Sequence, residues 1–263
     1  MKISLVTVSF NQRDYLREAI DSVLDQGYSE LEYIVVDPGS TDGSRELIQS
    51  YSDQISHILF EPDKGAADGL NKGFSLATGD VFGFLNSDDL LLPGSLQRVA
   101  DFFQQHPECD IAFGNGRIVN GKGEQLRHVK ARDVTVRRFF CGGSRWLQQS
   151  TFFRREAFLR SPKFNIENRT CWDGELFVNL VNQGAVAGYI GEDLAGFRIH
   201  RSSISGTGRM LQVFREDFSR IFRDIQRRNW SLRDDLWQFL YRSEGALYRL
   251  GSLIGKPGKG ERS

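Results

Sequence analysis

The chain has 263 residues and no formal net charge, because its 34 lysines and arginines balance its 34 aspartates and glutamates. With 40% hydrophobic residues and only 6 prolines it is typical of a globular protein, which excludes disordered and fibrous classes. The even charge balance disfavours a nucleic-acid partner, since binding to phosphates usually needs a basic excess.

Cysteine usage and the N-terminal sequence bear on where the protein works. Three widely spaced cysteines, Cys109, Cys141 and Cys171, indicate free thiols in a reducing compartment rather than a disulfide framework or a zinc site. The first apolar run, KISLVTVSF, is too short for a signal peptide, and no run reaches the ~20 residues that cross a bilayer. We expect a cytoplasmic protein, with peripheral attachment to the inner face of the membrane left open.

Apolar strands alternate with amphipathic helices through the first half of the chain. In order, the predicted elements are the strand ISLVTVSF, a helix carrying Leu16, Ala19, Ile20, Val23 and Leu24, the strand LEYIVVD, a helix in STDGSRELIQSY, the strand ISHILFE, a helix over 67–78, the strand VFGFL and a helix from Pro93. Strands that are apolar throughout and joined by helices are typical of a parallel sheet covered on both faces. The predicted class is α/β, with a doubly wound, mainly parallel sheet.

The second half departs from this regularity. After about residue 111, the segments IAFGN, QSTFFRR, VAGYIG and LAGFRIH indicate antiparallel additions to the sheet, with one helix over 174–183. From residue 209 the pattern predicts two helices, in a segment with 12 Lys and Arg against 7 Asp and Glu. We therefore predict one domain over 1–208, divided near residue 115, and a helical C-terminal extension over 209–263.

Polar residues follow three of the predicted parallel strands. Ser9 and Asn11 come after the first strand, Asp37 after the second, and Asn86 to Asp89 after the fourth. Parallel strands end at the same edge of a sheet, and open α/β sheets bind ligands at that edge. We expect these residues to converge on one cleft.

The adjacent carboxylates of Asp88 and Asp89 repel each other unless a cation or solvent relieves them. Mg²⁺ and Mn²⁺ typically take one or two protein carboxylates and complete their shell with water and phosphate oxygens, so a metal-bound diphosphate is one interpretation. A solvated turn that caps the next helix is the other. Asp37 also has two interpretations, a hydrogen-bond acceptor for a nucleoside or the N-cap of the following helix.

The segment EPDKGAADGLNKG brings Lys64, Asp68 and Asn71 to a loop that enters a helix. Backbone N–H groups at such a position suit phosphates, and the side chains suit sugar hydroxyls. By itself the segment is equally compatible with an ordinary polar loop.

Three segments in this order, SLVTVSFNQ, IDSVLDQGYSELEYIVVDPGSTDGS and EPDKGAADGLNKGFSLATGDVFGFLNSDD, resemble the family 2 glycosyltransferases. The resemblance runs from about Lys2 to Ser205. It implies a GT-A fold in which residues 1–115 bind a nucleotide-diphospho-sugar and residues 116–208 face the acceptor. A UDP-sugar is the family-level expectation for the donor.

The resemblance also implies functions for particular residues. Asp89 matches the principal metal ligand, Asp88 an acid near the ribose and diphosphate, and His200 in FRIHRSSIS a histidine that approaches the metal in relatives. Mn²⁺ or Mg²⁺ is therefore the expected cofactor, although a structural function is the alternative for a single histidine near a strand end. The expected nucleotide-sugar contacts are Ser9, Asn11, Asp37, Lys64, Asp68, Asn71, Asn86 and Asp88, with Asn86 standing where the family often has an acid.

The segments LQQSTFFRREAF and CWDGELFVNLVNQG are similar to the acceptor half of the family. Asp173 matches the acid that serves as catalytic base at the start of a helix, with Glu175 as the competing choice and a helix N-cap as the alternative function of Asp173. A carboxylate within hydrogen-bond reach of a sugar hydroxyl can remove its proton as the new bond forms. Gln149 and Trp172 are expected to contact the acceptor.

The expected reaction transfers a sugar, with inversion at the anomeric carbon, to a hydroxyl of a glycan or lipid-linked acceptor in surface polysaccharide synthesis. Polymer-forming relatives carry QxxRW, whereas Gly142 stands at the glutamine position before Arg145 and Trp146, which favours a non-processive enzyme. A sugar-phosphate nucleotidyltransferase needs a glycine-rich basic loop, and a dehydrogenase GxGxxG, where this chain has SFNQRD. An inactive nucleotide-binding scaffold of the same fold is the non-enzymatic alternative.

The two C-terminal helices have three interpretations. They pack on the catalytic domain, they form a homodimer, or their arginine-rich face lies on an anionic membrane.

Overall fold

The computed structural model describes residues 1–201 and 210–254. The predicted boundary between the two domains, at residue 208, lies outside the described residues. Within them, strands and helices alternate along the first half of the chain, as the sequence predicts. The later strands were expected as antiparallel additions, but Ala187–Arg198 pairs in parallel with Ile111–Val119, whereas Thr151–Arg154 pairs with it antiparallel.

The strands are β1 (Ile3–Val8), β2 (Leu31–Val36), β3 (His57–Leu59), β4 (Val81–Asn86), β5 (Leu90–Leu91), β6 (Ile111–Val119), β7 (Gln125–Val129), β8 (Thr151–Arg154) and β9 (Ala187–Arg198). The helices are α1 (Arg13–Leu24), α2 (Ser44–Gln49), α3 (Ala66–Leu76), α4 (Ser95–Gln105), α5 (Val136–Phe140), α6 (Arg155–Arg160), α7 (Trp172–Asn182), α8 (Leu211–Gln226) and α9 (Leu232–Ile254). A 3₁₀ turn, Gln148–Ser150, precedes β8.

The strands of the described residues form one mixed sheet in the order β3-β2-β1-β4-β8-β6-β9-β5, with β7 added to β6. β1 is parallel to both β2 and β4, and its last residue, Val8, pairs with Val36 and Asn86. Three parallel strands therefore end level at one edge, and the loops that follow them lie side by side. This register brings the predicted polar clusters together.

Both faces of the parallel strands are covered, which is why their sequences are apolar without alternation. Ile3 and Leu5 of β1 pack on one face with α1, α2 and α4. Val6 packs on the other face with α3, α6 and α7. Helix α3 lies so close to β1 that a Cβ atom at Gly73 would be 2.5 Å from Val6 Cγ1.

Three details of the fold differ from the sequence prediction. The segments VAGYIG and LAGFRIH, expected as two strands, are the single strand β9, which is irregular in its pairing with β6. The short strand β5 pairs with β9, so helix α4 begins at Ser95 rather than at Pro93. The short helices α5 and α6 have no periodic pattern long enough to predict.

Two expectations about the whole chain can be compared with the structure. The side chains of Cys109, Cys141 and Cys171 are buried, unbridged thiols. Within residues 1–201 and 210–254, no helix combines the length and the hydropathy that crossing a membrane requires.

The C-terminal helices pack on the rest of the protein, the first of their three interpretations. Ile221 and Phe222 of α8 are buried against Val178 of α7. Helix α9 begins over α5, where the guanidinium of Arg137 lies 4.7 Å from the centre of the Trp237 ring. The extension therefore shares an apolar interface with helices α5 and α7.

Candidate active site

A cavity of about 860 Å³ opens at the edge where β1, β2 and β4 end. Its volume falls in the range of small-molecule sites, ~300–1,000 Å³. The side chains that bring polar groups or aromatic rings to its lining are Ser9, Phe10, Gln12, Asp63, Lys64, Asn86, Ser87, Asp88, Trp146, Gln148, Gln149, Arg169, Thr170, Trp172, Asp173 and Phe197. Residues that follow each of the strands β1, β2 and β4 line the cavity. After β2 the lining residue is Pro38 rather than Asp37.

Asp88 is the acid of the Asp88–Asp89 pair that faces this cavity. Its Oδ2 atom lies 3.0 Å from His200 Nε2. The His200 side chain is 3% exposed and packs against the Tyr15 ring at a centroid distance of 4.3 Å. Packing and the carboxylate together fix the orientation of the imidazole beside Asp88.

Asp89 lies behind Asp88 and is fully buried. Its carboxylate accepts hydrogen bonds from Gln149 Nε2 at 2.5 Å, Asn86 Nδ2 at 3.1 Å and the Arg198 backbone N–H at 2.8 Å. Burial and the neighbouring Asp88 charge raise the pKa of Asp89 to about 8, although these donors act in the opposite direction. Through these hydrogen bonds Asp89 organises the turn. Its expected function as the principal metal ligand stays a prediction.

Arg198 is the functional-site residue that the sequence reasoning missed. Its fully buried guanidinium donates hydrogen bonds to the carbonyl oxygen of Asp88 at 2.8 Å and of Gly121 at 3.1 Å. It also forms an ion pair with Glu18. Arg198 thereby fixes the backbone of the turn that presents Asp88. The available signal was one arginine in the otherwise apolar segment LAGFRIH.

The residues present fit a divalent cation that shares its shell with substrate. No group of three or more histidine, cysteine, aspartate or glutamate side chains in the described part of the chain is placed to hold a metal ion. Asp88 nevertheless brings a carboxylate to the cavity wall, and the imidazole Nε2 of His200 lies 3.0 Å from that carboxylate. Mg²⁺ and Mn²⁺ often bind through one or two side chains and fill the remaining positions with water and phosphate oxygens.

The loop after β1 brings Ser9 and Phe10 to the cavity. The buried Ser9 hydroxyl has no hydrogen-bond partner among the described residues, whereas buried polar groups are normally paired. The Phe10 side chain is 60% exposed and offers a flat apolar surface. A ligand that combines a planar ring with polar groups suits this wall.

Asp37 and Asn11 lie outside the cavity lining and support its rim. Asp37 is fully buried and accepts hydrogen bonds from the Ser40 N–H at 2.8 Å and the Ser40 hydroxyl at 2.6 Å. Asn11 accepts a hydrogen bond from the Thr41 N–H at 2.9 Å. Both side chains tie the loops after β1 and β2 together, and their contacts with a nucleoside stay predictions.

Lys64 lines the cavity, whereas Asp68 and Asn71 support the loop behind it. Asp68 Oδ2 accepts a hydrogen bond from the Lys64 N–H at 3.0 Å. The Asn71 side chain donates to the Phe164 carbonyl oxygen at 2.8 Å and accepts from the Phe164 N–H at 3.1 Å. From the same segment, Asp63 does line the cavity, and burial raises its pKa.

Asp173 is the second residue of α7 and lines the cavity. Burial raises the pKa of its carboxyl group against the opposing effect of nearby backbone N–H groups. Among the described residues, no side chain donates a hydrogen bond to this carboxylate and no cation pairs with it. A carboxylate with unoccupied lone pairs and a raised pKa is suited to accept a proton from a substrate hydroxyl.

Glu175, the competing choice for the base, is engaged on the side of α7 away from the cavity. Its carboxylate accepts hydrogen bonds from Asn165 at 3.0 Å, from Asn168 at 2.6 Å and from both terminal nitrogens of Arg220 at 2.8 Å. Burial alone would raise its pKa, but these donors lower it. The geometry therefore favours Asp173.

The two predicted acceptor residues both line the cavity, in different environments. The Trp172 ring packs 5.6 Å from the ring centres of Phe84 and Phe164, which holds it next to Asp173. Gln149 is buried, and its side-chain amide is engaged with Asp89. Trp172 is thus placed to contact a second substrate, whereas Gln149 supports the Asp88–Asp89 turn.

Comparison with known proteins bears on both the fold and the family. A putative teichuronic acid biosynthesis glycosyltransferase of Bacillus subtilis, TuaG, is 30% identical over 212 residues, which are 77% of this chain and 81% of that protein. An uncharacterized glycosyltransferase of Nostoc sp. is 37% identical over 213 residues, 76% of this chain and 65% of that protein.

Among solved structures, S. aureus TarS 1–349 in complex with UDP-GlcNAc matches with a TM-score of 0.69 at 21% identity, over 86% of this chain and 65% of that one. This likeness shows the GT-A fold. This chain aligns with 65% of TarS 1–349 and with 65% of the Nostoc protein, just under two thirds of each. The family model described as glycosyl transferase family 2 matches residues 4–172, more than half of the chain. The protein that carries this fold and cavity therefore belongs to glycosyl transferase family 2.

Proposed function

We propose that this protein transfers a sugar from a nucleotide-diphospho-sugar to a hydroxyl acceptor, with inversion at the anomeric carbon. The observation that carries the proposal is that one cavity is lined by Asp88, which is paired with His200, and by Asp173, whose carboxylate accepts no side-chain hydrogen bond among the described residues. The first pair suits a diphosphate and its cation, and the second group suits the activation of an alcohol.

The proposed donor is a UDP-sugar. The Phe10 ring and the unpartnered Ser9 hydroxyl suit a nucleoside, and the Lys64 side chain in the same lining suits a phosphate. TarS, which shares the fold, was crystallised with UDP-GlcNAc.

Asp88 and His200 would hold Mn²⁺ or Mg²⁺ beside the diphosphate. When bound, a divalent cation stabilises negative charge on the departing phosphate oxygens, an effect of several kcal/mol in general. Arg198 and Asp89 contribute indirectly, because they fix the turn that carries Asp88.

Asp173 is the proposed base. It takes the proton from the acceptor hydroxyl as that oxygen bonds to the anomeric carbon, while the bond from this carbon to the diphosphate oxygen breaks. One displacement inverts the configuration and needs no covalent enzyme intermediate. The raised pKa of Asp173 brings it closer to neutral pH, where a general base works best.

The proposed acceptor is a glycan or a lipid-linked saccharide of a surface polysaccharide. TuaG, which aligns over most of its length, is a putative teichuronic acid biosynthesis enzyme. Gly142 before Arg145 and Trp146, in place of the glutamine of QxxRW, supports the addition of one sugar per encounter.

A thermal-shift screen of UDP-GlcNAc, UDP-glucose, UDP-galactose and GDP-mannose, each with and without Mn²⁺, identifies the donor. Hydrolysis of that donor then measures turnover. We expect Asp173→Asn to keep the thermal shift and to lower turnover by roughly 10²-fold or more, the typical contribution of a general base. Asp53→Asn, which changes an exposed carboxylate outside the cavity lining, should match the wild type.

Full turnover by Asp173→Asn would reject Asp173 as the base. A wild-type protein that binds a donor but releases no nucleoside diphosphate from it, with or without Mn²⁺, would contradict the proposed activity and favour the scaffold. Release of pyrophosphate from a nucleoside triphosphate and a sugar phosphate would instead favour a nucleotidyltransferase.

We also propose that helix α9 attaches the protein to the inner face of an anionic membrane. Leu232, Leu236, Phe239 and Leu240 are 86%, 57%, 66% and 45% exposed. Their spacing puts them on one side of the helix, while Trp237 contacts Arg137 of α5. The segment 209–263 carries 12 Lys and Arg against 7 Asp and Glu, a charge that suits an anionic surface.

Sedimentation with vesicles containing phosphatidylglycerol tests the attachment. We expect Leu236→Glu to reduce the bound fraction, because it places a charge in the exposed apolar stripe. Leu126→Glu, the same change at a leucine that is 60% exposed on β7, is the matched control. Equal sedimentation of the two variants would contradict membrane binding, and a concentration-dependent dimer lost only in Leu236→Glu would assign the stripe to a homodimer.

A further inference from the structure

The segment that carries the proposed base is not part of the sheet. Arg169, Thr170, Trp172 and Asp173 all line the cavity, and they lie between α6 and the first turn of α7. Asn168 orders part of this segment, because its side-chain oxygen accepts hydrogen bonds from the backbone N–H groups of Thr170 and Cys171, both at 3.0 Å. The segment contacts the sheet side of the cavity through Arg169, which donates to the Lys64 carbonyl oxygen at 2.9 Å, and through the Trp172 ring, which packs on Phe84. Helix α8 contacts it from the other side.

Helix α8 binds the segment at a residue just after Asp173, the proposed base. The guanidinium of Arg220 forms two parallel hydrogen bonds of 2.8 Å with the carboxylate of Glu175, two residues beyond Asp173. Glu175 is 7% exposed and the Arg220 side chain is 32% exposed, so the carboxylate is shielded from water while the guanidinium is only partly so. A bidentate arginine–carboxylate pair fixes both distance and orientation.

The same helix also binds the segment at residues just before Asp173. Asp217 Oδ2 accepts a hydrogen bond from the Thr170 hydroxyl at 2.8 Å and from the Arg169 N–H at 3.2 Å. Asp217 and Arg220 are one turn apart on α8 and lie 3.6 Å from each other. The two side chains therefore hold points on both sides of Asp173.

Apolar contacts between α8 and α7 accompany these hydrogen bonds and the ion pair. Ile221 and Phe222 of α8 are buried with Cys171, the residue before α7, and with Val178 on the next turns of that helix. By contrast, no hydrogen bond or ion pair among the described residues joins α8 to Ser9 or to Asp88. The donor side of the cavity is built from loops of the sheet, and the base side is held by the extension.

We propose that Asp217 and Arg220 of the C-terminal extension are positioning residues that hold Asp173 at the distance its proton transfer requires. The inference rests on the proposed function of Asp173. Its physical basis is that misplacing a catalytic group by about 1 Å can cost ~10²-fold in rate without loss of the group itself. The C-terminal extension thus positions the proposed base in addition to exposing the apolar stripe of α9.

The substitution Arg220→Gln removes the bidentate ion pair with Glu175 while keeping a side chain that can form a hydrogen bond. We expect the turnover number for donor hydrolysis to fall at least tenfold, while the dissociation constant for UDP stays within twofold of the wild type. Arg220→Lys, which restores the charge but not the bidentate ion pair, should recover part of the turnover. Arg223→Gln removes an exposed arginine from the same helix and should behave as the wild type.

Hydrogen exchange measured by mass spectrometry gives a readout that does not depend on activity. Arg220→Gln should speed amide exchange in residues 165–175 and leave helix α2, residues 44–49, unchanged. If Arg220→Gln does not melt cooperatively, Glu175→Gln, which weakens the same ion pair from the other side, takes its place with the same expectations.

Turnover and exchange in Arg220→Gln equal to those of Arg223→Gln would overturn the positioning proposal. So would parallel losses of turnover and UDP affinity, since those indicate general damage to the fold. Absence of turnover in the wild type would instead contradict the proposed function, and the exchange measurement would still decide whether α8 orders the segment.

Discussion

Asp88 and Asp89 carry the same side chain in adjacent positions, yet they meet opposite environments. Asp88 faces the cavity beside His200, whereas Asp89 is enclosed by three N–H donors. Successive residues of a turn project in different directions, so a pair of acids in a sequence does not reveal which one meets a ligand. Asp88 is the acid that lines the cavity and Asp89 is the acid that shapes the turn, and which of the two holds a cation stays a prediction.

Substituting each acid in turn separates the two functions. Asp88→Asn should abolish the Mn²⁺-dependent part of the thermal shift with a nucleotide-sugar and change the free energy of unfolding by less than about 0.5 kcal/mol. Asp89→Asn turns a hydrogen-bond acceptor into a donor that faces other donors, so it should destabilise the fold by about 1–3 kcal/mol. Urea denaturation and thermal shift measure both effects.

The opposite result would restore the original assignment. If Asp89→Asn loses the response to Mn²⁺ at unchanged stability while Asp88→Asn keeps it, Asp89 holds the cation.

Helix α3 shows how an element is placed by the absence of a side chain. A Cβ atom at Gly73 would lie 2.5 Å from Val6 Cγ1 and 3.3 Å from Val36 Cγ2. The helix can therefore pack directly on β1 and β2 and deliver its N-terminal loop, with Lys64, to the cavity. In the sequence, this glycine is indistinguishable from one that merely lowers helix propensity.

The substitution Gly73→Ala sets two effects against each other. Alanine favours a helix over glycine by about 1 kcal/mol, whereas overpacking a core contact costs about 1–3 kcal/mol. Because the neighbouring atoms belong to β-branched residues on central strands, we expect overpacking to win and the free energy of unfolding to fall. Ser75→Ala, at an exposed position of the same helix, is the control for urea denaturation. An increase in stability would mean that α3 moves away from the sheet easily.

Elements were predictable where their pattern is local. The parallel strands β1, β2 and β4 and the helices α1 and α4 follow from short apolar runs and helical spacing in the sequence. The two-residue strand β5 does not, because it exists only through pairing with β9, about a hundred residues later. The six-residue helix α6 and the five-residue helix α5 are likewise too short for a periodic signal.

At the scale of the whole molecule, a buried carboxylate ties the sheet together at the edge away from the cavity. Glu32 accepts hydrogen bonds from Lys2 Nζ at 2.7 Å, Ser4 Oγ at 2.5 Å and the Thr78 N–H at 2.7 Å. Burial alone would raise its pKa, but these donors lower it to about 2. The charged form is therefore the one that the fold stabilises.

The stability of the protein should depend on pH through this group. A carboxyl group whose pKa is lowered on folding contributes stability above its unfolded pKa, near 4.5, and loses it as the pH falls toward 2. We expect Glu32→Gln to cost about 2–3 kcal/mol at pH 7, with the difference from the wild type shrinking below pH 4.5. Glu30→Gln, at an exposed neighbour, is the control in urea denaturation. A difference that is constant from pH 7 to pH 3.5 would contradict this.

Chain-local information sufficed for the α/β class, for the family resemblance and for the meeting of strand-end residues at one cleft. These features depend on hydrophobic periodicity and on strand direction, which neighbouring residues decide. It did not suffice to tell that Asp88 lines the cavity while Asp89 is buried, to find Arg198, or to predict the contacts of α8 with residues 169–175. Those depend on contacts between residues 110 positions apart, as in Arg198 with Asp88, or 45 apart, as in Arg220 with Glu175. The environment of a buried charge is set by whichever distant segment folds against it, and only the packed structure shows which segment that is.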